Sequence, residues 1–104
     1  MQGICLKFFV NESQRHHGKL LYEWLLEQAK GMGIGGGTAL RAVAGFGRHG
    51  RLHEEAFFEL AGDLPVEIEF LVSTEQAERL LALLRGENLR LFYVRMPAEY
   101  GISN

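Results

Sequence analysis

Two stretches of this chain alternate with period two. Ile4, Leu6, Phe8 and Val10 fall on one side of residues 3–10, with Gly3, Cys5, Lys7 and Phe9 on the other. Val66, Ile68, Phe70 and Val72 alternate in the same way with Glu67, Glu69 and Leu71. Period two with one apolar side is the signature of a strand that has one covered face. Each of these stretches is followed by a helical one, so each predicted strand has a partner to cover that face.

The remaining elements follow from spacing and punctuation. Asn11 to Ser13 break the first strand, and from about His17 to Met32 the apolar spacing turns helical, with a stripe of Leu21, Trp24, Leu25 and Ala29. Gly31 and Gly33 end that helix, since glycine tolerates the left-handed cap. Thr38 to Phe46 reads as a second strand, with Leu40, Ala42, Ala44 and Phe46 on one face and Arg41 and Val43 on the other. A connection runs to about Leu64, and Pro65 opens the third strand, where it costs no central ladder bond. Ser73 with Gln76 matches a capping box, and Ala77, Leu80, Leu81 and Leu84 form a second amphipathic helix that Gly86 stops. Leu91 to Val94 reads as the last strand, with Met96-Pro97 and a short tail beyond it.

The order β-α-β-β-α-β predicts an α+β, ferredoxin-like sandwich: a four-stranded antiparallel sheet with two helices on one face. The 104 residues fit one domain. The other face then stays uncovered and carries Cys5, Lys7, Phe9, Arg41, Val43, Glu67, Glu69 and Leu71. Small domains bury a limited fraction of their surface and gain from assembly. This face reads either as a solvated face with a few stray hydrophobes or, the favoured expectation with the resemblance given below, as a subunit interface in which Lys7 and Arg41 meet Glu67 or Glu69.

Composition narrows the function. A formal net charge of -2, from 11 Lys plus Arg against 13 Asp plus Glu, argues against nucleic-acid binding, which needs a basic footprint. The single Cys5 excludes an intramolecular disulfide and fits a reducing compartment. The absence of a long apolar run and of a secretory pattern makes a cytoplasmic protein the expectation.

The glycines and the basic groups beside them are the residues most open to a ligand. Gly33, Gly35, Gly36 and Gly37 do not match Walker spacing and precede a strand, so they read as a helix-to-strand turn. Gly45 and Gly47 flank Phe46 at a strand end, where missing side chains permit either a bend or close backbone approach to a ligand. Arg48, His49, Arg51 and His53 lie within six positions and read as a solvated loop or as an anion or partner contact, with Glu54, Glu55 and Glu59 partly neutralising them. No metal site is expected. His16 and His17, read as neighbours at a helix start, diverge and make a poor chelating pair. His49 and His53 with Glu54 or Glu55 lack anything that fixes their geometry. Ser13 beside these histidines lacks an orienting third group, so no catalytic residues are assigned. Tyr22 and Trp24 read as core residues.

Gly37-Thr38, the strand after it, and Gly45-Phe46-Gly47-Arg48 with Gly50 resemble the run at the end of the second strand in PII signal-transduction proteins. Leu64-Pro65 before VEIEFLV resembles the same family, and the element order agrees. The chain is therefore identified as similar to the PII-like superfamily, in the branch known only as a domain of unknown function. The resemblance implies a homotrimer that binds adenine nucleotides in clefts between subunits and signals through a loop between strands two and three. By position, Thr38, Gly45, Phe46, Gly47 and Arg48 would border the cleft, and the 48–62 segment, with His49, Arg51 and His53, would be the partner loop. Arg90 and Arg95 would reach the cleft phosphate of a neighbouring subunit. The chain departs from the standard pattern at three points. The loop lacks a tyrosine, residues 85–90 lack a glycine-lysine-rich phosphate loop, and the tail after Pro97 lacks an arginine cluster.

The expected function is that of a regulatory protein without enzymatic activity or cofactor. It would sense a small anionic ligand, with an adenine nucleotide among the candidates, and act on a membrane transporter or an enzyme. A ligand-free interaction module is the alternative. A small hydrolase or transferase using the loop histidines and acids ranks behind both, because it needs a fixed acid–base constellation.

Overall fold

The computed structural model describes residues 1–45 and 64–104. Its main elements are β1 (Gln2–Asn11), a two-stranded hairpin of β2 (Arg15–His16) and β3 (Lys19–Leu20), α1 (Leu21–Gly31), β4 (Gly37–Arg41), β5 (Pro65–Val72), α2 (Thr74–Gly86) and β6 (Phe92–Glu99). The main sheet has the order β4-β5-β1-β6, and every neighbouring pair is antiparallel. Each helix connection therefore skips one strand: β1-α1-β4 passes over β5, and β5-α2-β6 passes over β1. This is the α+β ferredoxin-like arrangement anticipated from the order of the elements.

The alternation in β1 and β5 decides which face is covered. Leu6, Phe8 and Val10 of β1 and Val66, Ile68, Phe70 and Val72 of β5 are buried against Leu21, Trp24, Leu25 and Ala29 of α1 and Ala77, Leu80, Leu81 and Leu84 of α2. Phe8 and Phe70 meet edge to face, with ring centroids 6.3 Å apart. Removing side chains such as Leu6, Phe8, Leu25 and Leu80 from water stabilises the fold by about 1.5–3 kcal/mol each.

Both helices end on left-handed caps. After α1, Gly33 takes φ 84°, its N–H donates to Lys30 O (3.1 Å), and the N–H of buried Ile34 reaches back to Ala29 O (3.1 Å). After α2, the same motif falls on Asn88 at φ 60°, with Asn88 N–H donating to Arg85 O (3.0 Å) and Leu89 N–H to Leu84 O (2.9 Å). Gly86 is the last helical residue, and the left-handed position lies two residues beyond it. At its start α2 has the anticipated capping box: Gln76 N–H donates to Ser73 Oγ (3.1 Å), and Ser73 N–H donates to Gln76 Oε1 (3.0 Å).

Several expectations give way. Helix α1 begins at Leu21, not near His17, because His17 (φ 52°) and Gly18 (φ 78°) form the two-residue turn of the β2–β3 hairpin. Strand β4 stops at Arg41 and presents the opposite faces. Gly37, Ala39 and Arg41 pair with Phe70, Ile68 and Val66 on the helix side, so Thr38 and Leu40 point to the open side. A one-residue difference in register exchanges the two faces of a strand. The register is set at Gly37, where a Cβ would lie 2.5 Å from the Phe70 ring. Arg41 therefore leaves the open-face set, and Val43 lies beyond the strand, 93% exposed. The last strand runs from Phe92 to Glu99 and includes Pro97, which an edge strand tolerates.

Gly37→Ala is expected to destabilise the protein by about 1–3 kcal/mol through overpacking against the buried Phe70 ring. Thermal and denaturant unfolding of the variant measure this, and unchanged stability would mean that Phe70 has room to move.

Candidate functional site

The open face of the sheet is more apolar than the sequence implied. Cys5, Lys7 and Phe9 of β1 lie beside Glu67, Glu69 and Leu71 of β5, Phe92, Val94 and Met96 of β6, and Leu40 of β4. Leu40, Leu71, Phe92 and Met96 are 51%, 44%, 40% and 40% exposed. Phe9 and Phe92 pack with centroids 5.7 Å apart. In the middle of this surface the Lys7 ammonium lies 3.5 Å from Glu69 and 4.0 Å from Glu67. The anticipated pairing of Lys7 with these acids thus occurs within one chain. Burial first, and then the charge of Glu69, push the Cys5 thiol above its usual pKa, so it stays protonated and poorly nucleophilic at neutral pH.

Arg41 has a different partner. Its Nε lies 2.7 Å from Glu12 Oε2, while Glu12 Oε1 accepts from Leu64 N–H (3.1 Å) and Glu12 N–H donates to Leu64 O (3.0 Å). Ala42 N–H donates to Pro65 O (2.8 Å). Gly45 sits against Pro65, where an added Cβ would come within 3.4 Å of the ring. Glu12, directly after β1, thus holds together the chain leaving β4 and the chain returning into β5. The predicted Thr38 lies in β4 opposite Glu69, exposed on the open side. Phe46, Gly47, Arg48, His49, Arg51 and His53 lie outside the described residues. Arg95 Nη1 is 2.7 Å from Glu78 Oε2 of α2, and Arg90 is exposed in the α2–β6 connection. Of the predicted ligand residues, Thr38 and Gly45 share the β4 side of the sheet with the Glu12 clamp, whereas Arg95 belongs to the opposite edge strand.

A second cluster was missed. His16 and His17 are side by side in the hairpin, ring centroids 4.1 Å apart, because the turn folds them together where a helix would splay them. His16 Nε2 and His17 Nε2 both approach Glu87 Oε1, at 2.9 and 2.7 Å. The His16 ring meets the buried Trp24 indole edge-on at 4.6 Å. Hydrogen bonds from His16, then His17, hold the Glu87 carboxyl below its usual range. The local clue was Gly18 after His17, which favours a turn over the first turn of a helix.

Residues 3–89 match the DUF190 family, an uncharacterized ACR family. A UPF0166 protein of Aquifex aeolicus is 35% identical over 83 residues, covering 80% of this chain and 79% of that protein. One from Methanocaldococcus jannaschii is 33% identical over 84 residues, covering 81% and 77%. The chain belongs to the DUF190 (UPF0166) family. Among solved structures, a protein of Thermus thermophilus described as PII-like and signalling superposes with a TM-score of 0.56 at 21% identity, covering 93% of this chain and 88% of that one. CPII of Thiomonas intermedia, bound to ADP, AMP and acetate, gives 0.57 at 19% identity, covering 98% and 93%. The same CPII, described as a nitrogen regulatory PII-like protein and bound to ADP, AMP and bicarbonate, gives 0.56 at 18% identity, covering all of both chains. The fold is that of PII-like signalling proteins. Among the described residues, no helix is long and apolar enough to cross a membrane.

Two outcomes follow from the two carboxylates. Glu12→Ala is expected to cost about 1–3 kcal/mol, because it strips a charge-assisted acceptor from Leu64 N–H. Glu12→Gln is expected to cost less than about 1 kcal/mol, because it loses only the pair with a largely exposed arginine. Equal losses in denaturant unfolding would refute that division. For Glu87 the folded pKa lies below the unfolded one, so its contribution to stability is complete above the unfolded pKa and is lost as pH falls through the folded pKa. In His16→Ala the Glu87 midpoint should move up, as read by carboxyl carbon NMR titration; an unmoved midpoint would remove the His16 bond as the leading cause.

Proposed function

We propose that this chain is a regulatory protein of the PII-like kind that acts as one domain of 104 residues and assembles as a homotrimer. It binds a small anionic ligand, an adenine nucleotide being the first candidate, in clefts between subunits. The observation that carries this reading is the likeness of fold, over nearly the whole chain, to a PII-like protein bound to ADP and AMP. The uncovered apolar face supports assembly, and the Glu12 clamp supports a signalling role for the 48–62 segment by giving it a fixed base. In this reading Thr38, Gly45, Phe46, Gly47 and Arg48 border the cleft, with Arg90 and Arg95 supplying charge. Arg95 would have to share or exchange its Glu78 partner to reach a phosphate. His49, Arg51 and His53 contact the target, a transporter or an enzyme. The protein is not itself an enzyme, needs no cofactor and works in the cytoplasm.

Calorimetry of the purified protein against ATP, ADP, AMP and cyclic AMP, with and without magnesium, tests the reading. Saturable binding near one ligand per subunit is expected, and Arg48→Ala should weaken it at least tenfold, since guanidinium pairs with phosphate bidentately. Absence of binding by all four would favour the ligand-free interaction module.

A further inference from the structure

The geometry points to a divalent-cation site of the zinc type formed by His16, His17 and Glu87, independent of the sensor reading above. Each residue contributes one donor atom, and the three donors lie within 4.8 Å of one another. Both imidazole Nε2 atoms already converge on a single carboxylate oxygen, at 2.9 and 2.7 Å. Ligands about 2.1 Å from a tetrahedral Zn²⁺ stand roughly 3.4 Å apart, so a cation could replace the shared protons after the donors open by several tenths of an ångström. Two imidazoles and one carboxylate are a donor set suited to first-row divalent ions.

Three further features argue that the donors are held in place, beyond chance proximity. The first is the backbone. His17 and Gly18 both take positive φ in the hairpin turn, and Arg15 Nη2 donates to Gly18 O (2.8 Å) across it. Lys19 Nζ bonds Glu27 Oε1 (2.6 Å), tying the hairpin to α1. On the other side, the left-handed Asn88 and its two cap bonds position Glu87. The second is the wall of the site. Trp24 is 5% exposed and confines the His16 ring from the protein side. The third is the charge at the end of α2. Glu87 is the C-cap residue of α2, where the negative end of the helix dipole favours a cation over a carboxylate. The two histidine hydrogen bonds already favour the carboxylate there, and a cation held among the three donors adds the positive charge that this end of the helix favours.

Exposure sets the chemistry. The His16 and Glu87 side chains are 16% and 31% exposed, whereas His17 is 63% exposed, so the cluster opens to solvent on the His17 side. Three protein ligands leave a coordination position there for water or an anionic ligand. The cation would also join the hairpin after β1 to the end of α2, segments about 70 residues apart in sequence.

The test is zinc titration of the full, tag-free chain by calorimetry, with Co²⁺ as a visible-absorption probe and ¹⁵N NMR of the imidazoles. One Zn²⁺ per chain is expected, with the His16 and His17 Nε2 resonances shifting on addition. Glu87→Gln and His16→Ala should each weaken binding at least tenfold, and the double variant His49→Ala/His53→Ala should retain it. The proposal is overturned if zinc leaves the His16 and His17 resonances unmoved. It is equally overturned if Glu87→Gln binds like the parent, or if binding disappears with His49 and His53. Because the imidazole spectrum is recorded on the unaltered chain, a variant that fails to fold does not rescue or sink the idea.

Discussion

The rest of the structure depends on β1 being paired on both sides. It is antiparallel to β5 on one edge and to β6 on the other over almost its whole length. Its two faces therefore become the two faces of the molecule. Leu6, Phe8 and Val10 anchor the layer beneath the helices, while Cys5, Lys7 and Phe9 form the middle of the face that the helices leave bare. The free edges of the sheet belong to β4 and β6, and the face that the helices leave bare carries the exposed Leu40, Leu71, Phe92 and Met96. Lys7, with Glu67 and Glu69 beside it, keeps that face from being wholly apolar. Enclosing it costs desolvation, which Glu67 and Glu69 offset only because they are already within reach in the same chain.

Two carboxylates perform analogous tasks at the end of the sheet where β1 finishes and β6 begins. Glu12 holds Arg41 and the Leu64 backbone together where the chain leaves and re-enters the sheet. Glu87 gathers two histidines at the end of α2. Each follows directly on a regular element whose last residues fix its position: β1 for Glu12 and the capped end of α2 for Glu87. Rigid elements place functional groups more precisely than loops do, which is why both clusters merit chemical attention. They also join distant parts of the chain.

Much of this was legible in the sequence. Period two in residues 4–10 and 66–72, the capping box at Ser73 and the left-handed cap at Gly33 each arise from local chemistry, and each survives folding unchanged. The faces of β4 were not legible. Leu40 looks like a core residue, yet the requirement that Phe70 pack against a glycine places Gly37 and Ala39 inward and Leu40 outward. That decision is made by a strand about thirty residues away. The length of β6 was obscured by Pro97, whose tolerance depends on an edge position that only the sheet order defines. The His16, His17 and Glu87 cluster was hidden for a related reason. Helical spacing extrapolated backward through Gly18 sets the histidines apart, whereas the hairpin turn stacks them, and Glu87 arrives from the other half of the chain.

In the proposed function the bare sheet face is a surface between copies of this chain. Sedimentation equilibrium of the purified protein at micromolar concentration tests it most directly. The account predicts a particle of three times the 11.7 kDa chain mass. A monomer at those concentrations, with Leu40, Leu71, Phe92 and Met96 left in water, would contradict it.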